Sequence, residues 1–124
     1  DNRYTEIENL YEQFQMAAQI TFNIFDKDAF HKFKAGNYEN KINRAVADIM
    51  LFYFSNPDIR MAVQGHEEQI KSKFEILSTG RMEFLSAIET TTKSMQSVKE
   101  RFNTWADALS EELGVKVESP YSEN

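Results

Sequence analysis

Cysteine is absent from the 124-residue chain, and proline and glycine are scarce, with two and four residues respectively. The absence of cysteine excludes disulfide bonds and thiolate-ligated zinc, although it does not identify the compartment. Because turns depend on glycine and proline, their scarcity indicates a few long elements joined by short connections. No apolar run approaches the roughly 20 residues that a membrane-spanning helix needs. We therefore expect no membrane association, and a cytoplasmic location is the simplest expectation.

The composition is that of a globular domain with an acidic balance. Hydrophobic residues make up 41% of the chain, charged residues 27%, and the net charge is -6. Free-standing nucleic-acid-binding proteins usually carry a basic excess, so this balance argues against that class. The first residues are polar and acidic, unlike a signal peptide, and no initiating methionine is present. We expect the chain to be either one domain excised from a larger protein or a processed product.

Apolar residues recur at helical spacing along most of the chain and predict five or six helices. The first is expected over residues 4–25, and one of its sides is apolar throughout. We expect that side to face the core; it consists of Ile7, Leu10, Tyr11, Phe14, Ala17, Ala18, Thr21 and Phe25. A short helix is expected over residues 29–34, with Phe30 and Phe33 as its core contacts. Residues 35–40 are expected to form a loop.

The central helix is predicted over residues 41–55, because residues 45–54 are apolar almost all round. A buried strand is the competing interpretation, but the length of the run favours a helix. Asn56 and Pro57 predict the N-cap and first residue of another short helix. Further helices are expected over residues 67–78, 81–89 and 95–113, and Gly114 is expected to end the last of them. The predicted fold is an all-α, irregular single-domain bundle over residues 1–114, followed by a tail or linker at 115–124.

Asp48 is the one carboxylate that falls within the apolar helix, where a buried charge would need a partner. Arg44 lies one turn earlier, at a spacing that allows an ion pair. We expect Asn43, Arg44 and Asp48 to form a buried polar network that fixes how helices or domains dock.

Basic and aromatic residues are interleaved before the central helix; they are Lys32, Phe33, Lys34, Tyr38, Lys41 and Arg44. This combination is typical of proteins that bind single-stranded nucleic acid, which is one alternative for the segment. His31 lies near Asp26 and Asp28, but such acids more often cap a helix than bind a metal. We expect no metal or other cofactor.

Arg60 and His66 provide a different alternative, since an arginine and a histidine at this spacing resemble the catalytic motif of HEPN ribonucleases. Such a pair could act on RNA, with histidine as general acid or base and arginine on the phosphate. A solvated position at a helix boundary is the competing explanation. Phosphate loops, nucleophile elbows and zinc-protease motifs are missing, so we expect that the chain alone is not an enzyme.

Two segments resemble the helical C-terminal region of a large bacterial family that includes the GmrSD-type modification-dependent restriction enzymes. Residues 42–45, Ile-Asn-Arg-Ala, open the apolar helix and are similar to the family's Ile-Asn-Lys-Ala-Leu-Phe-Glu pattern. Residues 88–92, followed by Val98, Arg101 and Phe102, are similar to its hydroxyl-rich connector and the helix start after it. The resemblance covers about residues 6–113. The Asp-Gly-Gln-Gln-Arg signature of the family's ParB-like N-terminal domain is absent from the chain.

The resemblance implies an accessory domain that braces the ParB-like nuclease or NTPase domain of the same parent protein. That parent would be a bacterial restriction or phage-defence protein, and the accessory domain would help it to bind DNA. No catalytic residue is carried over. The candidates for interface or DNA contacts are Lys41, Asn43, Arg44, Asp48, Thr92 and Arg101. A self-associating helical adaptor, and hence a homo-oligomer, is a third alternative.

Overall fold

The computed structural model describes residues 2–89 and 94–122, and in this part of the chain it contains six α-helices and one β-hairpin. In chain order the elements are α1 (Asn2–Phe25), a 3-10 turn (Asp26–Asp28), β1 (His31–Lys34), β2 (Asn37–Ile42), α2 (Arg44–Phe54), α3 (Pro57–Val63), α4 (Glu67–Gly80), α5 (Met82–Glu89) and α6 (Met95–Leu113). The predicted helical bundle is therefore confirmed in outline, and the hairpin corrects the expectation of a purely α-helical fold. None of the described helices combines the length and apolar character needed to cross a membrane.

α2 lies at the centre of the bundle, as the sequence predicts, and packs against α1, α3, α5 and α6. Its core side carries Val46, Ile49, Met50 and Tyr53, each no more than 1% exposed. The helix begins at Arg44 rather than at residue 41, because the preceding residues belong to β2. The N-cap of α3 is also confirmed, since the side chain of Asn56 accepts hydrogen bonds from the first backbone amides of that helix.

The hairpin replaces the short helix and the loop predicted over residues 29–40. Its strands are antiparallel and are joined by a two-residue turn in which both Ala35 (φ 54°) and Gly36 (φ 83°) have positive φ. Two successive positive φ values are typical of the type I′ turn, which matches the twist of paired strands. The turn places Phe33 opposite Tyr38, with ring centroids 4.8 Å apart. Phe33 therefore packs against the opposite strand, although its spacing from Phe30 also fits one side of a helix.

α1 contributes only its second half to the core. Ala17, Thr21, Ile24 and Phe25 are buried, whereas the apolar side chains of the first half are exposed. The expectation that the whole apolar side of α1 faces the core is therefore wrong for Ile7, Leu10, Tyr11 and Phe14. The physical reason is that α1 is about 36 Å long, and the core covers it only from Ala17 onwards.

α6 ends at Leu113, and Gly114 follows in the left-handed conformation (φ 70°), as the sequence predicts. The next residues turn back onto the bundle instead of forming the expected loose tail. Val117 is 6% exposed, and its backbone amide donates a hydrogen bond to Ser110 Oγ over 2.8 Å. The ring of Tyr121 packs against Phe102, with centroids 5.3 Å apart. Residues 115–122 are thus part of the packed domain.

Candidate interaction surfaces

Asp48 and Arg44 lie on the exposed side of α2, opposite the side that packs into the core. No hydrogen bond or ion pair joins them in the described part of the chain, so the predicted buried network is wrong. The physical reason is that residues one turn apart share a helix side, and here both face water. Asn43 has a different role, because its Oδ1 accepts a hydrogen bond from the amide of Val46 over 3.0 Å and caps α2.

A group of exposed side chains lies where β2 leads into α2; we call Lys41, Ile42, Arg44 and Asp48 the β2–α2 surface. Ile42 is 67% exposed, although it is a large aliphatic residue. Within residues 2–89 and 94–122, neither Lys41 nor Arg44 forms an ion pair. The surface therefore combines one apolar side chain with charges that the fold does not neutralise.

The remaining interface candidates are Arg101 and Thr92, and neither belongs to the β2–α2 surface. Arg101 is buried, and its Nη1 donates a hydrogen bond to the carbonyl oxygen of Ala87 over 3.2 Å. A cation near the C-terminal end of α5 is favourable because helix carbonyls point towards it. Arg101 therefore joins α6 to α5 within the domain instead of facing a partner. Thr92 lies outside the described residues.

The lysines of the hairpin are neutralised by carboxylates. Lys32 Nζ lies 3.1 Å from both Glu39 and Glu89, and Lys34 also bonds to Glu89. Hydrogen bonds from Lys34 and Lys32 lower the pKa of Glu89. Burial opposes the charge on Lys32, but the two carboxylates outweigh it and raise the pKa of the ammonium group. These ion pairs hold the hairpin against α5. Among the described residues, Lys41 and Arg44 are therefore the basic members of the segment that have no carboxylate within ion-pair distance.

Tyr38 anchors the hairpin to α4. Its hydroxyl donates a hydrogen bond to Glu75 over 2.8 Å, and the ammonium group of Lys71 lies 5.6 Å from its ring centroid. Burial, reinforced by the hydrogen bond to Glu75, raises the pKa of the Tyr38 phenol. Phe33 and Tyr38, the two aromatic residues of the basic and aromatic segment, therefore have contacts within the fold.

Arg60 and His66 bond to different parts of the bundle. Arg60 donates to the carbonyl oxygen of Phe54 over 2.8 Å and to the side chain of Gln13, and so ties α3 to α2 and α1. His66 Nδ1 lies 3.0 Å from a carboxylate oxygen of Glu112 on α6. The ribonuclease alternative stays a prediction. Intact RNA after incubation with the purified chain, or unchanged cleavage by His66→Ala, would exclude it.

A groove of about 690 Å³ separates α4 from α6. Its apolar side chains include Ile76, which is 68% exposed, and its lining contains four acidic and two basic residues. Lys73 is paired with Glu111 across this groove. Within the described ranges, no three histidine or carboxylate side chains are grouped so that they could hold a metal ion. His31 instead contacts the carbonyl oxygen of Glu39 across the hairpin, at 2.7 Å.

No protein-family model, curated protein or solved structure matches the chain at a significant level. Over the described residues, the structure defines the class as a small, predominantly helical domain with one hairpin.

Proposed function

We propose that the chain is a non-catalytic accessory domain that braces the ParB-like domain of a larger bacterial restriction or phage-defence protein. The observation that carries this proposal is the exposure of Ile42 on the β2–α2 surface. Complete burial of an isoleucine side chain is worth about 1.5–3 kcal/mol relative to its exposure. An apolar centre with a charged rim is the usual anatomy of a protein–protein interface.

The same residues carry the family resemblance, which strengthens the choice of this surface. Asn43 is explained by the fold, because it caps α2. The side chains of Ile42 and Arg44 are exposed, and within the part of the chain that the structure describes neither makes a comparable contact. A contact with another domain of the parent protein gives both of them a role.

DNA binding enters the proposal through Lys41 and Arg44. The chain has a net charge of -6, so its overall field repels a phosphate backbone. Lys41 and Arg44 are exposed and form no ion pair with any residue in 2–89 or 94–122, so they can contact phosphates when the braced domain presents DNA there. Each such contact releases a counter-ion, and it steepens the slope of log binding constant against log salt concentration by about 0.9.

The first test is to read the parent gene ahead of the codon for Asp1. We expect a strand-rich domain with the Asp-Gly-Gln-Gln-Arg signature, and the assignment fails if the parent gene encodes no such domain. That domain is then expressed separately and titrated with the chain in a calorimeter. We expect Ile42→Asp to weaken binding at least about tenfold, which corresponds to about 1.4 kcal/mol.

Ile76→Asp is the matched control, because Ile76 is 68% exposed and Ile42 is 67% exposed. Equal losses of affinity in the two variants would show that the β2–α2 surface has no special role. The DNA contribution is tested on the assembled complex by fluorescence anisotropy at several salt concentrations. Lys41→Glu combined with Arg44→Glu should weaken binding and flatten the salt dependence, and an unchanged affinity would exclude the phosphate contacts.

A further inference from the structure

The exposed half of α1 carries five large apolar side chains, which we call the α1 seam: Tyr4, Ile7, Leu10, Tyr11 and Phe14. Their exposures are 67%, 59%, 69%, 62% and 53%. Four of them follow the three-four spacing of a heptad repeat, and the same spacing continues into the core at residues 18, 21 and 25. One continuous side of the helix is therefore buried at one end and uncovered at the other.

The uncovered area has the size of an interface. Large apolar side chains that are more than half exposed offer about 100–150 Å² each, so the α1 seam presents roughly 600 Å². This value lies at the upper end of the largest apolar patch on a typical monomer. Complete burial of two such surfaces would remove at most about 1,200 Å² from water, which reaches the lower limit for a stable interface.

We propose that two copies of the chain pair through their α1 seams, with the two helices antiparallel. The surface is self-complementary, because heptad positions of one helix fit between those of an identical helix. All five seam side chains are uncharged at neutral pH, so a second copy meets no like charge along the centre of the contact. Glu6 and Glu12 fall at outer positions of the repeat, whereas Glu8 flanks the seam next to Ile7.

The antiparallel direction follows from where α1 enters the core. The seam side becomes buried at Ala17, so the domain itself occupies the space beyond Phe14 on that side. A parallel partner helix would have to continue into this space together with its own domain. In the antiparallel pair, Tyr4 meets Phe14 and Ile7 meets Tyr11, and the two domains lie at opposite ends of the contact.

This inference does not depend on the proposed function, because the α1 seam and the β2–α2 surface share no residue. Failure of dimerisation would leave the accessory role intact, and failure of docking at Ile42 would leave the dimer intact. If both hold, each dimer carries two β2–α2 surfaces and can hold two ParB-like domains.

Sedimentation equilibrium of the whole chain at several micromolar concentrations tests the pairing. We expect a monomer–dimer equilibrium, and Tyr11→Asp should raise the dissociation constant at least about tenfold. Melting of the monomer should be unaffected, since Tyr11 is 62% exposed. Ile76→Asp, equally exposed but outside the α1 seam, should dimerise like the unmodified chain. A strict monomer at the highest concentration would overturn the proposal. An equal loss of dimer affinity in Tyr11→Asp and Ile76→Asp would also overturn it.

The absence of native cysteine allows the helix direction to be tested by oxidation of single-cysteine variants. A mixture of Tyr4→Cys and Phe14→Cys should form a disulfide-linked heterodimer, because these positions meet in the antiparallel pair. Phe14→Cys alone should cross-link poorly. Efficient homodimer cross-linking of Phe14→Cys, with no heterodimer formed in the mixture, would show a parallel pair and refute the antiparallel arrangement.

Discussion

Removal of the Tyr53 hydroxyl should lower the free energy of unfolding of the domain. The side chain is 1% exposed, and its hydroxyl donates a 2.8 Å hydrogen bond to the carbonyl oxygen of Phe102 on α6. Tyr53→Phe keeps the ring and removes only the hydroxyl. A net hydrogen bond is worth about 1 kcal/mol, so the variant should unfold with about that much less free energy at neutral pH. For a domain of this size the melting temperature should fall by roughly 3–6 °C.

The pH dependence makes this prediction sharper. Burial raises the pKa of Tyr53 to about 12, whereas an unfolded tyrosine titrates near 10. Its protonated form is thus favoured in the folded state, and this stabilisation is fully present below pH 10. It is lost as the pH rises from about 10 to 12, at roughly 1.4 kcal/mol for each pH unit.

Chemical denaturation of both proteins at pH 7 and pH 11 measures the effect, and the other titrating groups cancel in the difference. At pH 7 the unmodified chain should be more stable by about 1 kcal/mol. At pH 11 the loss from Tyr53 should bring the difference close to zero. A difference that is the same at both pH values would refute the burial argument, and no difference at pH 7 would refute the hydrogen-bond argument.

Three further predictions concern stability. Glu89→Gln should lower the free energy of unfolding at neutral pH, because Lys34 and Lys32 lower the pKa of Glu89 in the folded state. This stabilisation is present above the unfolded pKa near 4.5 and is lost as the pH falls below it. Denaturation of both proteins at decreasing pH should therefore show the difference in their free energies of unfolding disappearing. Asn56→Ala should cost about 1 kcal/mol in thermal unfolding through the loss of the α3 cap, and an unchanged melting temperature would contradict the cap. Asp48→Ala should change stability by less than about 0.5 kcal/mol, because the carboxylate is exposed, and a larger loss in urea would indicate a partner.

Local signals predicted the elements that depend on local physics. The run of apolar residues identified α2, and Asn56, Pro57 and Gly114 marked helix ends that the structure confirms. These residues act through backbone geometry and hydrogen bonds within a few positions, which a single sequence displays.

The hairpin escaped prediction because its main determinant is a contact between strands. Phe30 and Phe33 have a spacing that fits one side of a helix, and Gly36 is compatible with any loop. Contacts between the strands, such as the pairing of Phe33 with Tyr38, distinguish the hairpin from a helix. The two positive φ values at Ala35 and Gly36 are typical of a hairpin turn, but alanine is not a residue that indicates positive φ in a sequence.

The candidate sites were predicted less well because exposure is a tertiary property. Periodicity shows which side of α1 is apolar, but it does not show where the neighbouring helices end. It therefore placed Phe14 in the core together with Phe25, although only Phe25 is buried. The same limit applies to Asp48, whose helix is apolar on most sides but leaves that position in water.

The return of residues 115–122 onto the bundle has a practical consequence for anyone who produces or fuses this domain. A boundary drawn at Gly114, where the helical pattern stops, would remove Val117 from its buried position and Tyr121 from Phe102. It would also leave Ser110 Oγ without the amide that it accepts from. Proteins shortened at this point should aggregate or melt early.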